Sequence, residues 1–169
     1  INFTDSGEVD LFVGTQSNGQ GHATVYAQIL HQRSGIPFEK INIVQGDTRL
    51  IPRGGGTGGS RSVTMQGNSI NSTADIMIEK FAEFAKFRLD ASDSSVQFTD
   101  GVFYVPETNK YIGIMELAEI AVDSSSTEIL TTEYENTVEG RSFPYGAHFA
   151  EVEIDPETGK TDCVKYTVV

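Results

Sequence analysis

The chain has 169 residues, of which 38% are hydrophobic, and this length and composition are typical of one globular domain. Its formal net charge of −12 argues against nucleic acid as a partner, because binding to a phosphate backbone needs concentrated Lys and Arg. No apolar stretch approaches the roughly 18 residues of a membrane span, and no signal peptide is visible. The single cysteine, Cys163, excludes an internal disulfide. It fits a reducing compartment, and we expect the protein in the cytoplasm.

The first half of the chain alternates strands, glycine-rich loops and a helix. Each strand is followed by a cluster of glycines: GTQSNGQGH begins at Gly14, and IPRGGGTGGSRS covers residues 51–62. Apolar residues at helical spacing follow the first cluster, and Gly35 with Pro37 ends that helix. The predicted elements, in order, are a strand at 8–13, a helix at about 20–33 and a strand at 40–47.

The second half begins with the longest predicted helix. Ile70, Ala74, Met77 and Phe81 recur at three- and four-residue spacing and form one apolar stripe. A hairpin, a short helix, a strand and a second hairpin about DPETG follow. The predicted bounds are about 63–89 for the long helix, 95–105 for the first hairpin, 113–122 for the short helix, 128–134 for the strand, and 145–154 with 163–169 for the second hairpin.

The mixture of hairpins and helices predicts the α+β class, with a mixed or antiparallel sheet and helices packed on one side of it. No internal repeat or long linker divides the chain, so residues 1–169 are interpreted as a single domain. The chain begins at Ile1 and ends at Val169 inside an apolar alternation, and we therefore expect it to be a fragment of a larger subunit.

The two glycine-rich loops are the candidate binding site, because such a loop before a helix offers free backbone N–H groups to an anion. A nucleotide phosphate loop is one interpretation, but Ser60 stands where that motif requires lysine. A dinucleotide fingerprint is another, since Gly54 to Gly59 match GxGxxG, yet TRLIPR separates them from the preceding strand. In a third interpretation, both loops form one cradle, in which Gln20, Ser60 and Ser62 hydrogen-bond a heterocyclic cofactor that carries phosphate.

Longer stretches around both loops resemble a known family. GTQSNGQGHATVYAQIL, GIPFEKINIVQGDT, GGGTGGSRSVTMQGNSI and FPYGAHFAEVEIDPETG are similar, in order and approximate spacing, to the molybdopterin-binding large subunit of the molybdenum hydroxylases. That family includes xanthine dehydrogenase, aldehyde oxidoreductase or oxidase, and aerobic carbon monoxide dehydrogenase. The first and last stretches look closer to carbon monoxide dehydrogenase-like enzymes and bacterial aldehyde or heterocycle hydroxylases than to animal xanthine oxidases.

The resemblance implies part of a molybdenum cofactor-binding domain in an oxidoreductase. The implied reaction is hydroxylation of an aldehyde, purine, heterocycle or similar carbon centre of a small-molecule substrate, with water as the oxygen source. The implied cofactor is molybdopterin, with its cytosine dinucleotide form left open, and its dithiolene sulfurs hold the molybdenum, so this chain supplies no metal ligand. Iron–sulfur clusters and FAD are implied on other domains or subunits, which would be partners together with the rest of the large subunit.

The same resemblance assigns site residues. The G-Q-G of the first loop falls on Gly19, Gln20 and Gly21, and Gln20 is the implied catalytic residue because the family's glutamine hydrogen-bonds near the oxo ligand of the metal. In the second loop, the residues implied to line the cofactor, mainly as backbone donors, are Gly58, Gly59, Ser60, Arg61 and Ser62.

One part of the family's machinery is missing from the sequence. The family's general-base glutamate lies in a G-E-P-P-like segment, and no such segment occurs here. We therefore expect the chain to be inactive alone, its half of the cofactor site to be empty or disordered, and an exposed edge or apolar surface to promote self-association.

Other polar residues have more than one interpretation. His22, beside the first loop, either contacts the cofactor or lies on the surface, whereas His31 is assigned to a helix face and His148 to packing. Arg61 either reaches a phosphate or holds its own loop through carbonyl groups. A solvated edge is favoured over an acid/base pair for three carboxylates, Glu133, Glu135 and Glu139.

Two interpretations outside this enzyme class stay open. The first is a non-enzymatic anion- or nucleotide-binding module that uses the same two loops, and it requires tight binding of simple nucleotides by the isolated chain. The second is an interaction domain whose glycines serve only packing. It requires that alanine at Gly58 and Gly59 damages folding and changes no ligand affinity.

Overall fold

The computed structural model describes residues 1–91, 95–137, 143 and 145–169. The helices of this part are α1 (His22–Ser34), α2 (Ser62–Arg88) and α3 (Ile114–Asp123), with 3₁₀ turns at Phe38–Lys40 and Thr127–Ile129. The strands are β1 (Asn2–Phe3), β2 (Val9–Phe12), β3 (Ile41–Val44), β4 (Gln97–Thr99), β5 (Val102–Tyr104), β6 (Tyr111–Gly113), β7 (His148–Ile154) and β8 (Thr161–Val168). None of the described helices is long and apolar enough to cross a membrane.

The first sheet positions the two glycine-rich loops. Its order is β1-β2-β3, in which β1 pairs antiparallel with β2, and β2 pairs parallel with β3 from Val9 opposite Ile41 to Phe12 opposite Val44. Helix α1 connects the two parallel strands, so one glycine-rich loop follows the carboxyl end of each. Because the carboxyl ends of parallel neighbours meet at one edge of a sheet, both loops leave the sheet side by side, where open α/β sheets form their binding crevices.

The remaining strands form two antiparallel sheets. Strands β4, β5 and β6 are neighbours in that order, and β6 runs directly into α3. Strands β7 and β8 pair only with each other among the described strands. The predicted α+β class, with mixed and antiparallel sheets, is confirmed, and the structure adds that the strands are divided among three small sheets.

Helix α2 is the central support of the core. It packs against α1, α3, β4 and the second 3₁₀ turn. Its buried stripe follows helical spacing as predicted, because Ile70, Ala74, Met77 and Phe81 are all no more than 1% exposed. The Phe81 ring lies 4.9 Å, centroid to centroid, from the Phe3 ring of β1, and this contact ties the helix to the first sheet.

The strand predicted at 128–134 is wrong. Thr127–Ile129 is a 3₁₀ turn, and only Thr131 makes an isolated antiparallel bridge, to Asn2. The segment crosses the edge of β1 for a few residues, since the Phe3 N–H donates to the Leu130 carbonyl at 2.9 Å. The β-branched residues of segment 128–134 therefore reflect one short contact with β1 rather than a strand. The short strands β1 and β6 were not predicted at all.

The second hairpin is present as predicted, and no other part of the described chain covers it. Every residue from 145 to 169 is exposed. One face of the hairpin, which we call the apolar hairpin face, presents large hydrophobic side chains that are between 51% and 61% exposed; they are Val152, Ile154, Val164, Tyr166 and Val168. An exposed apolar surface of this kind is typical of an interface.

Replacing the central aromatic of α2 tests this core. We expect Phe81→Ala to lower the free energy of unfolding by about 3–5 kcal/mol, because it removes a fully buried ring and leaves a cavity. Phe87→Ala, on the same helix at 78% exposure, is the matched control and should change it by no more than about 0.5 kcal/mol. Urea denaturation of both variants measures this, and equal losses would contradict the core assignment.

Candidate functional site

The two glycine-rich loops touch through their backbones at Gly14 and Gly54. A Cβ atom added to Gly54 would lie 2.8 Å from the Gly14 Cα and still closer to the Gly14 carbonyl oxygen. A Cβ added to Gly14 would lie 2.8 Å from the Gly54 Cα. Real Cβ atoms essentially never come this close to backbone, so only glycine at both positions permits the contact.

Hydrogen bonds reinforce this contact on both sides. The Gly56 N–H donates to the Gly14 carbonyl at 3.2 Å, and the Gly14 N–H donates to Oε1 of Gln66 on α2 at 3.1 Å. The Thr57 hydroxyl accepts from the Gln16 N–H at 3.1 Å and donates to the Gln16 carbonyl at 2.5 Å. The loops therefore form one continuous backbone surface.

Both helices that follow the loops begin without a side-chain cap. Helix α1 is preceded by Gly21 in the left-handed conformation at φ 77°, and α2 is preceded by Arg61. Neither of these residues makes a side-chain capping hydrogen bond, and neither helix has an acidic residue in its first turn. The first N–H groups and the positive ends of both helix dipoles are thus available to an anionic ligand.

The entrance of α2 adds further donors. Ser60 is left-handed at φ 54°, whereas Arg61 is right-handed at φ −110°, and such a pair turns successive N–H groups toward one side to form an anion-binding concavity. The Arg61 guanidinium donates to the Gly55 carbonyl at 3.1 Å. Of the two roles that the sequence left open for Arg61, contact with a phosphate or support of its own loop, this bond corresponds to the second.

Most glycines of the site face open space. A Cβ atom would meet nothing within 4 Å at six of the predicted or neighbouring positions, which are Gly19, Gly21, Gly55, Gly56, Gly58 and Gly59. The cradle surface is therefore backbone without side-chain cover, and a flat ligand can approach its peptide groups closely.

Gln20, the predicted catalytic residue, is exposed and folded onto its own loop. Its carboxamide oxygen accepts from the Asn18 N–H in a short hydrogen bond and from the Ser17 hydroxyl at 3.4 Å. The Ser17 N–H is held in turn by Oε1 of Gln45 at 3.0 Å. Gln20 must release these bonds before its carboxamide oxygen can meet a ligand.

The buried side chain of Tyr26 contacts the first loop from the core. Its hydroxyl lies 2.9 Å from the Thr15 hydroxyl of the first loop and also interacts with Ser62, the first residue of α2. Burial raises the pKa of the Tyr26 hydroxyl, while the hydrogen bonds with Thr15 and Ser62 act in the opposite direction. Tyr26 thus links the first loop, through Thr15, to the core beneath it.

His22 stacks on Tyr26, with ring centroids 4.8 Å apart. It is 2% exposed, so the expectation of a surface histidine is wrong. Its Nδ1 is buried and finds no hydrogen-bond partner among the described residues. A buried polar atom without a partner costs about 1–3 kcal/mol, and this one lies at the start of the helix that follows the first glycine-rich loop.

The other candidate residues lie away from the cradle. Nδ1 of His31 is 2.7 Å from the Ile36 carbonyl, and His148 is exposed on the second hairpin, 3.1 Å from the Tyr166 hydroxyl, rather than packed. Glu133 and Glu135 are exposed as expected of a solvated edge, whereas Glu139 lies outside the described residues. No cluster of three or more His, Cys, Asp or Glu side chains able to hold a metal occurs in the described part of the chain.

Sequence reasoning missed the residues that hold the cradle together. Gly14, Gln66 and Tyr26 make the decisive contacts, and none of them was a candidate. Tyr26 follows His22 by one helical turn, so the helix prediction contained the signal for their stacking. No sequence pattern indicates the contact of Gly14 with Gly54, because it joins two loops through backbone alone.

The family model described as "Molybdopterin cofactor-binding domain" matches residues 1–169. The chain belongs to this family. Two relatives illustrate the similarity over 94% of this chain: subunit gamma of the 6-hydroxypseudooxynicotine dehydrogenase complex of Paenarthrobacter nicotinovorans is 31% identical, and the carbon monoxide dehydrogenase large chain of Afipia carboxidovorans is 32% identical.

Solved structures give the same result for the cofactor-binding domain. Reconstituted CO dehydrogenase from Oligotropha carboxidovorans superposes with a TM-score of 0.80 and 29% identity over 99% of this chain. A Cu,Mo-CO dehydrogenase in its carbon monoxide-reduced state superposes with a TM-score of 0.78 and the same identity. The chain spans about a fifth of each relative, between 20% and 22% of its length.

The residues present fit the cofactor of this family. Uncapped helix starts and the Ser60–Arg61 concavity suit phosphate oxygens, and bare glycine backbone suits a flat heterocycle. The neutral side chains of Gln20 and Ser62 can exchange hydrogen bonds with a heterocycle edge.

The backbone contact between the loops predicts a difference between two adjacent glycines. Gly54→Ala should force the loops apart and lower the free energy of unfolding by about 1–3 kcal/mol, whereas Gly55→Ala, whose Cβ meets nothing, should be near neutral. Hydrogen exchange at the Gly56 amide, which is bonded to Gly14, reports the separation directly. Equal protection in both variants would show that the loops do not depend on this contact.

Tyr26→Phe should lower the free energy of unfolding by about 1–2 kcal/mol near neutral pH, because Thr15 and Ser62 lose a buried partner. Burial raises the folded-state pKa of Tyr26 above its usual value of 10.0, so the wild type binds more protons when folded. Its stability advantage is complete below pH 10 and is lost as the pH rises through the folded-state pKa. Urea titrations from pH 7 to 11 should show the gap to Tyr26→Phe narrowing, with Tyr111→Phe as an exposed control; a constant gap would contradict the assignment.

Proposed function

We propose that this chain forms one side of the molybdopterin site in the large subunit of a molybdenum-dependent hydroxylase or dehydrogenase. The observation that carries the proposal is the backbone contact of the two glycine loops at the uncapped starts of α1 and α2. It places bare N–H groups of both loops on one surface at the carboxyl edge of the parallel strands.

Each predicted residue has a role in this proposal. Gly19, Gly21 and the residues 58–62 approach the cofactor with their backbone and donate N–H groups to it. Arg61 holds the second loop through the Gly55 carbonyl rather than serving as the main charge. Gln20 would turn its carboxamide from Asn18 toward the cofactor and supply a neutral hydrogen-bond donor to it. The bound cofactor supplies the redox chemistry by which a carbon centre is hydroxylated with oxygen from water.

The rest of the machinery lies outside residues 1–169 in this proposal. The general-base glutamate belongs to another part of the large subunit, and iron–sulfur clusters and FAD belong to other domains or subunits. The relatives act, by their names, on carbon monoxide, nicotine and 6-hydroxypseudooxynicotine. The substrates we propose are small molecules with an aldehyde, purine, heterocycle or similar carbon centre. The cofactor is molybdopterin, with its cytosine dinucleotide form left open, and the free, exposed thiol of Cys163 supports a cytoplasmic location.

The apolar hairpin face supports a role as one domain of a larger subunit. Its exposed hydrophobic side chains would be covered by the remainder of that subunit. We therefore propose that the 169-residue chain is inactive alone and self-associates through this face.

Cofactor analysis of the complete polypeptide that contains this chain tests the proposal. We expect equimolar molybdenum and pterin in the purified protein, a clear loss of both in Gly54→Ala, and near wild-type content in Gly55→Ala, because only the former separates the loops. The rival is a nucleotide- or anion-binding module, which the same uncapped helix starts would serve. Wild-type protein that carries no molybdenum but binds simple nucleotides tightly would establish the rival.

A further inference from the structure

His22 combines three features that packing alone does not explain. Its imidazole is buried at the first position of α1, directly after Gly19, Gln20 and Gly21. Side chains in a helix lean toward its N-terminus, so the ring leans toward the end of α1 that this loop precedes. Its Nδ1 has no hydrogen-bond partner among the described residues, although the ring is fixed by stacking on Tyr26.

Hydrogen bonds within the loop that precedes His22 hold Gln20 in place. Gln20 accepts from the Asn18 N–H and the Ser17 hydroxyl, so its carboxamide oxygen is held against its own loop. When Gln20 turns outward, those two donors are released and the loop backbone has to rearrange. Gly19 at φ 101° and Gly21 at φ 77° have open space around them, which leaves the backbone free to do so.

We propose that His22 is a positioning residue, whose Nδ1 forms a hydrogen bond with the backbone of the Gly19–Gly21 loop when that loop turns Gln20 toward the bound cofactor. The inference rests on the proposed function. Because Nδ1 is buried, a partner for it must come from neighbouring groups of the protein, and the backbone of the loop that directly precedes His22 in the chain supplies such groups. His22 Nδ1, which has no partner in the described part of this structure, gains one when the cofactor is bound. The new hydrogen bond helps to offset the two that Gln20 gives up.

Three substitutions at position 22 separate this role from packing. His22→Phe keeps an aromatic ring against Tyr26 and removes Nδ1. His22→Asn places a carboxamide atom where Nδ1 stands, whereas His22→Gln places its polar atoms further out, near the position of Nε2. Each variant is made in the complete polypeptide and prepared with cofactor, and also empty, from cells unable to synthesise the cofactor.

The readouts are the dissociation rate of molybdenum on dilution and the melting temperature of both forms. In the loaded protein, we expect His22→Phe to release molybdenum about tenfold faster, as the loss of one hydrogen bond predicts, with His22→Asn restoring retention and His22→Gln not. In the empty protein, His22→Phe should melt at the wild-type temperature or above it, because it removes a buried polar atom that has no partner there.

A double substitution tests the link to Gln20. If His22 acts by setting the loop that carries Gln20, the effects of His22→Phe and Gln20→Ala on molybdenum release should be far from additive. Additive effects, wild-type retention in His22→Phe, or equal destabilisation of its empty and loaded forms would each overturn the inference. A wild-type protein without molybdenum would instead overturn the proposed function, so the two failures are distinguishable.

Discussion

The contact between the backbones of Gly14 and Gly54 is the constraint on which the rest of the site depends. Parallel pairing of β2 with β3 brings the two loops to one edge of the sheet, and this contact, with the hydrogen bonds around it, joins them into one surface. Gln66 and Thr57 then fix the joined loops with hydrogen bonds to backbone groups. Because the loops meet, the helix starts that follow them belong to one continuous surface.

Stability and recognition are assigned to different parts of the chain. The buried stripe of α2 and the Phe3–Phe81 contact hold the body, whereas the cradle has almost no side chains of its own to bury. Tyr26 belongs to both parts, since its ring lies in the core and its hydroxyl supports each loop from below. A cradle of exposed peptide groups can exist here because a packed layer directly beneath it determines where those groups lie.

The sequence was sufficient for elements with strong periodicity or strong turn signals. Helix α2 and the Asp100–Gly101 hairpin lie close to where they were predicted, because a long apolar stripe and a two-residue turn are local properties. The segment 128–134 was mispredicted, since its β-branched residues serve a single crossing of β1. The glycines of the cradle were identified by resemblance, but their support by Gly14, Gln66 and Tyr26 depends on contacts between distant residues, which no local pattern encodes.

The meeting of Gly14 and Gly54 also limits how this site can change. Most packing faults in a protein can be relieved by a smaller neighbour, but here each glycine meets main-chain atoms, which every amino acid has. Loss of either glycine therefore has no side-chain suppressor at the other position. A second-site rescue must alter the length or path of a loop, so a genetic selection for restored function should yield insertions and deletions in the stretch between β3 and α2 rather than point substitutions in the core.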